Sequence, residues 1–149
     1  MTVKLVFDQT VVDEYADVYF SQHPRARKKP IENPWQETVN TWARMKRPQM
    51  NFVKQKWGDF VLWYCTNNNL CNLCLSSYSI TQTVYFRTNH RHDPDNTVPK
   101  FILDGLVKSK TIIDDDCNHL QQLVLKCAVD KTHPRTEILI EGVINDNDM

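Results

Sequence analysis

Hydrophobic residues recur with two different periods along this chain, and each period predicts a different kind of element. Alternation at every second residue predicts strands over residues 3–7, 78–88, 120–129 and 137–143. Spacing of three and four residues predicts helices over residues 11–20, from 33 to about 45, over 52–64, and from about 96 to 109. Three consecutive asparagines at 67–69 favour a turn after the third of these helices.

The order of these elements indicates the fold class. A strand and a helical section are followed by a strand, one helix, and two strands that a turn at 132–135 would join into a closing hairpin. A chain of 149 residues is long enough for one domain with a core and short for two. We therefore predict a single α+β domain over residues 1–149, with one mixed sheet and helices packed on it. Residues 145–149 are expected to be a flexible tail.

The sequence favours a protein of the cytoplasm. No stretch offers the roughly 18 consecutive apolar residues that a membrane span needs, and the first ten residues lack the basic and apolar regions of a signal peptide. The five cysteines are therefore expected to be reduced. Cys65, Cys71 and Cys74 invite a zinc interpretation, but structural zinc needs four ligands. Because no second cysteine pair or nearby histidine pair completes the set, free thiols are the favoured interpretation.

The formal charge is zero overall, but the charges are segregated along the chain. Residues 21–100 carry twelve Lys or Arg against five Asp or Glu, whereas residues 101–149 carry five against nine. A basic middle section can bind phosphate groups, so overall neutrality does not exclude a nucleic-acid partner.

Basic side chains cluster in two places. Residues 23–30 form a basic loop with a proline near each end, and prolines disfavour helix. This loop either contacts DNA phosphates or is a solvated loop that serves solubility, and taken alone the second interpretation is the commoner one. Further phosphate-binding side chains lie at the far end of the strand predicted at 78–88 and directly after it. The candidate DNA-binding residues are Arg25, Arg27, Lys28, Lys29, Arg87 and Arg91.

Two acidic clusters flank the amphipathic run that follows, in the stretch RHDPDNTVPKFILDGLVKSKTIIDDD. Asp93 and Asp95 open this stretch, and Asp114, Asp115 and Asp116 close it. Crowded carboxylates raise one another's pKa unless a cation lies between them, and oxygen ligands suit magnesium or manganese. Such an ion polarises phosphate groups and activates water, so the pattern predicts phosphoryl chemistry. The alternative is that the first cluster only forms a turn and helix cap, and the second a solvated loop.

The motif Asp93-x-Asp95-Asn96, followed by Lys100, by Asp104-Gly105-Leu106 and by the aspartate triplet, resembles the signature of RusA-type Holliday junction resolvases. Members of that family are small homodimeric, magnesium-dependent endonucleases of bacteria and their phages. The resemblance implies a RusA-like fold, Mg²⁺ as cofactor with Mn²⁺ as a substitute, and branched DNA, above all the four-way junction, as substrate. It covers the central and C-terminal part of the chain, and Lys100 falls one residue later than in the family pattern.

The resemblance also implies roles for individual residues. The catalytic residues would be Asp93, Asp95, Lys100 and Asp115, and the metal ligands would be Asp93, Asp95 and Asp115, with Asp116 as the alternate. Lys100 would stabilise charge in the transition state, and a homodimer would make symmetric paired cuts in a junction. Two other functions stay open: a non-catalytic DNA-binding module with a structural divalent ion, and a magnesium-dependent nuclease for flaps or other branched DNA.

Overall fold

A computed structural model of the chain describes residues 1–35 and 38–144. The tail predicted over 145–149 lies outside these residues. The elements follow in the order β1 (Thr2–Asp8), α1 (Gln9–Gln22), α2 (Val39–Trp42), α3 (Arg47–Asn67), β2 (Ser77–Phe86), a short 3₁₀ helix (Pro94–Thr97), α4 (Lys100–Lys108), β3 (Leu120–Val129) and β4 (Arg135–Val143).

The four strands form one mixed sheet in the order β1-β4-β2-β3, which confirms the predicted α+β class. β4 is antiparallel to both β1 and β2, whereas β3 is parallel to β2. The predicted closing hairpin is wrong, because β3 and β4 lie on opposite sides of β2. Residues 130–134 cross the end of β2, where the Asp130 amide donates to the Phe86 carbonyl at 2.9 Å. A connection of this length easily spans two strand spacings of about 4.8 Å each, so its shortness does not require a hairpin.

The parallel pairing of β2 and β3 determines where the acidic clusters lie. Parallel neighbours need a crossover connection, and residues 87–119, which include the 3₁₀ helix and α4, provide it. The first acidic cluster therefore follows the end of β2, and the second precedes the start of β3. Because the two strands run in the same direction, these two points lie at opposite ends of the strand pair.

The central helix begins later than predicted. Residues 94–97 form a 3₁₀ helix, and α4 starts at Lys100 with Pro99 at its N-cap. Proline disfavours the helical conformation at the residue before it, and Val98 is accordingly extended, with φ −52° and ψ 124°. This break separates the segment that carries Asp95 from the helix that carries Lys100.

The helices that precede β2 also differ in extent from their predictions. The helix predicted from 33 to about 45 is the four-residue α2, and part of that prediction falls on residues 36 and 37, outside the described ranges. α3 begins at Arg47, five residues earlier than predicted, with Pro48 in its first turn, where a missing amide is tolerated. It ends at Asn67, as the asparagine run predicts, and Asn69 adopts a left-handed φ of 58°.

The core lies between one face of the sheet and the helices. Phe60 of α3 is fully buried, with its ring centroid 5.1 Å from that of Phe7 in β1 and 5.2 Å from that of Tyr15 in α1. The hydroxyl of Tyr64 accepts a hydrogen bond from the backbone amide of Val6 at 3.0 Å. Most of the apolar residues whose spacing predicts α3 therefore belong to the core. Phe52 is the exception, because 61% of its surface is exposed.

Candidate functional site

The first acidic cluster lies in the segment that follows β2. Asp93 and Asp95 are both exposed, and Asp95 belongs to the first turn of the 3₁₀ helix. Arg91 donates from Nε to Asp93 Oδ1 at 3.2 Å. Since the two side chains are 88% and 53% exposed, this ion pair contributes only about 0–1 kcal/mol. The carboxylates of this cluster are consequently accessible to a ligand.

Two hydrogen bonds hold this segment against the fold. Gln82, which is fully buried in β2, donates from Nε2 to the backbone carbonyl of Thr97 at 2.6 Å. Asn96 accepts from the backbone amide of Asn40 at 2.9 Å. That amide belongs to the first turn of α2, where amides have no partner within the helix. Asn96 of the sequence motif therefore caps a helix distant in the sequence.

The three aspartates of the second cluster have different neighbours. Asp114 accepts a hydrogen bond from the Asp115 amide at 2.8 Å. Asp116 Oδ1 lies 2.5 Å from Nδ1 of His119, and this hydrogen bond holds the pKa of Asp116 below its usual value. Burial, together with the carboxylates of Asp104 and Asp114, raises the pKa of Asp115. Asp115 is thus the aspartate of the triplet whose ionised form is disfavoured.

The side chain of Tyr78 in β2 contacts the second acidic cluster. Its side chain is buried, and its hydroxyl donates to the backbone carbonyl of Asp114 at 2.5 Å. Burial, reinforced by the negative charges of the aspartate triplet, raises the pKa of Tyr78. The phenol therefore stays a neutral hydrogen-bond donor over the physiological pH range.

Lys54 on α3 is the lysine that contacts this acidic region. Its Nζ lies 3.8 Å from Oδ2 of Asp104, whose side chain is 28% exposed. Lys100 is the first residue of α4, and its Nζ lies instead 5.6 Å from the ring centroid of Trp42, within the range of a cation–π contact. The sequence predicts no role for Lys54 or Asp104, because only the packing of α3 against α4 brings them together. The Asp-Gly-Leu sequence at residues 104–106 was the feature of the sequence that could have pointed to Asp104.

The structure keeps the two acidic clusters apart. Asp93 is near enough to Cys127 for its charge to affect that thiol, and Cys127 pairs with Val84 of β2. The aspartate triplet instead affects the phenol of Tyr78, which precedes Val84 by six residues in β2. At roughly 3.3 Å per residue, these two positions on the strand are about 20 Å apart. Within residues 1–35 and 38–144, no three His, Cys, Asp or Glu side chains are grouped closely enough to hold a metal ion.

The candidate DNA-binding residues occupy two separate surfaces. Arg25, Arg27, Lys28 and Lys29 are exposed in the loop between α1 and α2, where Lys29 Nζ lies 3.8 Å from Oδ1 of Asp13. Arg87 and Arg91 are exposed at the end of β2, next to the first acidic cluster. Each surface offers unburied cations that a phosphate group could reach.

The cysteines with the zinc-like spacing lie at and after the end of α3. Cys65 is fully buried, and Thr111 donates from Oγ1 to its sulfur at 3.5 Å. Burial raises the pKa of the Cys65 thiol. Because metals bind the thiolate form, this environment disfavours Cys65 as a zinc ligand. Cys71 and Cys74 are half-buried free thiols.

Comparisons with known proteins assign no family to the chain. It matches no protein-family model and no curated protein. The resemblance to the resolvases therefore rests on the motif between residues 93 and 116. Among the helices of the described ranges, none is both long enough and apolar enough to cross a membrane.

Proposed function

We propose that the protein is a magnesium-dependent endonuclease that cleaves branched DNA, with the Holliday junction as its substrate. The observation that carries this proposal is the environment of Asp115, whose pKa is raised by burial and by the nearby carboxylates of Asp104 and Asp114. Lys54 lies beside Asp104, and the ionised form of Asp115 would be stabilised by a positive neighbour of its own. A hard divalent cation would provide one, since carboxylate oxygens are the ligands that magnesium prefers.

Asp115 would bind the ion. Asp93 and Asp95, which the motif proposes as further ligands, lie about 20 Å away along the strand in the same chain, so they would hold a separate ion. Asp116 is the weaker candidate, because His119 already engages one of its oxygens. Magnesium, when bound, would polarise the scissile phosphate and favour attack by water. Lysine side chains would stabilise the developing negative charge. Lys100 is the lysine indicated by the motif, and Lys54 is the one that contacts the acidic region.

The proposal includes a homodimer that acts in the cytoplasm. A four-way junction is two-fold symmetric, so a dimer would place two identical sites on opposing strands. The loop cations Arg25, Arg27, Lys28 and Lys29 would hold the duplex arms through phosphate contacts, and Arg87 and Arg91 would contact phosphates near the cut. Light scattering of the complex should find two chains for each junction, and a single chain would contradict the dimer.

The separation of the acidic clusters favours a second candidate, a DNA-binding module without catalysis. In that case Asp115 and its neighbours would hold a structural divalent ion. Asp93 and Asp95 would only shape the turn after β2, where Asp93 already precedes the 3₁₀ helix as its N-cap. The basic loop would bind DNA as in the first proposal.

Cleavage of a labelled four-way junction distinguishes the two candidates. The wild-type protein should make paired symmetric nicks in magnesium, and chelation should abolish them, while linear duplex stays intact. Asp115→Asn and Asp95→Asn should lose cleavage and keep junction binding, whereas Asp17→Asn, a control on the exposed surface of α1, should cut normally.

Each other outcome of this experiment has a definite meaning. Binding without cutting in both magnesium and manganese would support the non-catalytic module. Cutting of flaps in preference to junctions would assign a different branched substrate. Normal cutting by Asp95→Asn would remove the first acidic cluster from the site, and normal cutting by Asp115→Asn would remove the second.

A further inference from the structure

A cavity of about 570 Å³ lies between the basic loop and the first half of α3, in a part of the fold that the acidic clusters do not line. Its walls combine two kinds of side chain. The charged ones are one carboxylate, Glu32, and four cations, Arg27, Lys28, Lys29 and Lys56. The aromatic ones are Tyr19, Trp35, Phe52 and Trp57.

Phe52 lines this cavity, and packing of the core does not explain its position. The helical pattern of α3 predicts it as part of the core or of a dimer face, and Trp57, five residues later, is indeed buried. Phe52 nevertheless leaves 61% of its surface exposed at the cavity wall. Exposure of a large aromatic ring forgoes hydrophobic stabilisation, so the ring is available for a ligand.

Lys56 connects the charged and aromatic parts of the cavity. Its Nζ lies 4.8 Å from the ring centroid of Phe52 and 4.0 Å from that of Tyr19. The ammonium group also donates a hydrogen bond to the hydroxyl of Tyr19, and it lines the same cavity as the cations of the loop. Positive charge next to exposed aromatic rings is the combination by which proteins bind single-stranded nucleic acid.

We propose that this cavity binds one unpaired nucleotide of DNA, whose base stacks on Phe52 while its phosphates contact the loop cations. This inference rests on the proposed function, because strands exchange partners at a branch point and the base pairs beside it are the ones a protein can open at least cost. Four cations line the cavity against Glu32, with Lys29 also 3.8 Å from Asp13; this excess of positive charge selects an anionic ligand, and the rings select a ligand with a flat face. A free phosphate would use only the cations. The cavity volume is within the range of small-ligand sites, about 300–1,000 Å³.

Binding of short single strands to the full chain, in the absence of divalent cations, tests the proposal. Fluorescence anisotropy would compare an oligothymidine about ten nucleotides long with an abasic strand of the same length and charge. The wild-type protein should prefer the oligothymidine by about tenfold, which is the order of one base–aromatic stack. Phe52→Ala should lose this preference, and Phe52→Trp, which keeps a ring, should retain it.

The loop cations have their own variant and control. Lys29→Gln should weaken binding of both strands, because both carry phosphates. Lys131→Gln removes an exposed charge from the connection between β3 and β4, and it should bind both strands like the wild type. Circular dichroism should show the wild-type fold for Phe52→Ala, since the substituted ring is mostly exposed.

Equal affinity of the wild type for the two strands, or an unchanged preference in Phe52→Ala, would overturn the proposal. This outcome is separate from failure of the nuclease. A protein that cuts junctions in magnesium but ignores the base would keep the proposed function and lose the nucleotide site. A protein with a Phe52-dependent base preference that cuts no DNA would keep the site and lose the nuclease.

Discussion

Alanine substitutions at two helical glycines should have opposite effects on stability. Gly105 lies where α4 approaches α3 most closely: an added Cβ would be 2.6 Å from Cβ of Val61 and 3.0 Å from both of its Cγ atoms. Gly58 is also buried, but a Cβ there would meet only the side chain of Lys108, at 3.6 Å. Neither glycine has a positive φ, so the backbone accepts alanine at both positions.

The expected magnitudes follow from two opposing contributions. Alanine is favoured over glycine inside a helix by up to about 1 kcal/mol, and Gly58→Ala should keep this gain. At Gly105 the same gain is opposed by overpacking, which costs about 1–3 kcal/mol. The cost should be at the upper end, because Cβ of Val61 is fixed to the backbone and cannot rotate away. We expect a net loss of about 1–2 kcal/mol, or a Tm lowered by about 2–8 °C.

Urea unfolding followed by far-ultraviolet circular dichroism measures both variants directly. Unchanged m-values would show that the surface exposed on unfolding is the same, so that the midpoints report stability. Gly105→Ala should unfold at lower urea and Gly58→Ala at equal or higher urea than the wild type. A Gly105→Ala protein as stable as the wild type would refute the close packing of α4 on α3 described above.

Three further substitutions test the capping, hydrogen-bonding and charge arguments. Asp8 caps α1, and although burial raises its pKa, its hydrogen bonds to His133 and to a helix amide hold that pKa below the usual value. Asp8→Ala should therefore lower the free energy of unfolding by about 1 kcal/mol near pH 7. This loss should disappear as the pH falls through the lowered pKa of Asp8. An equal loss in Asp17→Ala would contradict the capping role. Tyr78→Phe removes the hydrogen bond to the Asp114 carbonyl and should cost about 1 kcal/mol in urea unfolding, whereas no loss would mean that the bond contributes nothing. The pKa of Asp115 is raised in the folded state, so the charge of Asp115 costs stability at any pH above that pKa. Without divalent cations, Asp115→Asn should therefore be more stable than the wild type near pH 7. The difference in stability should shrink as the pH falls towards about pH 4. A difference that grows in acid would contradict the crowding of carboxylates.

The sequence by itself determined most of the elements. Strand β3 was predicted over residues 120–129, as it is found, and α3 ends at the predicted asparagines. These successes have a local cause, since hydrophobic periodicity and turn chemistry act over a few residues. The late start of α4 was equally local, because the effect of Pro99 on Val98 is a property of adjacent residues.

Only the tertiary structure decided the order of the strands and the neighbours of the site residues. Nothing in the local pattern distinguishes a hairpin from two strands that flank a third, as β3 and β4 flank β2. In the same way, the exposure of Phe52 and the contact between Lys54 and Asp104 arise where α3 packs against other parts of the chain. The physical reason is that periodicity shows which face of an element is apolar, whereas the partner of that face is chosen by packing across the whole fold.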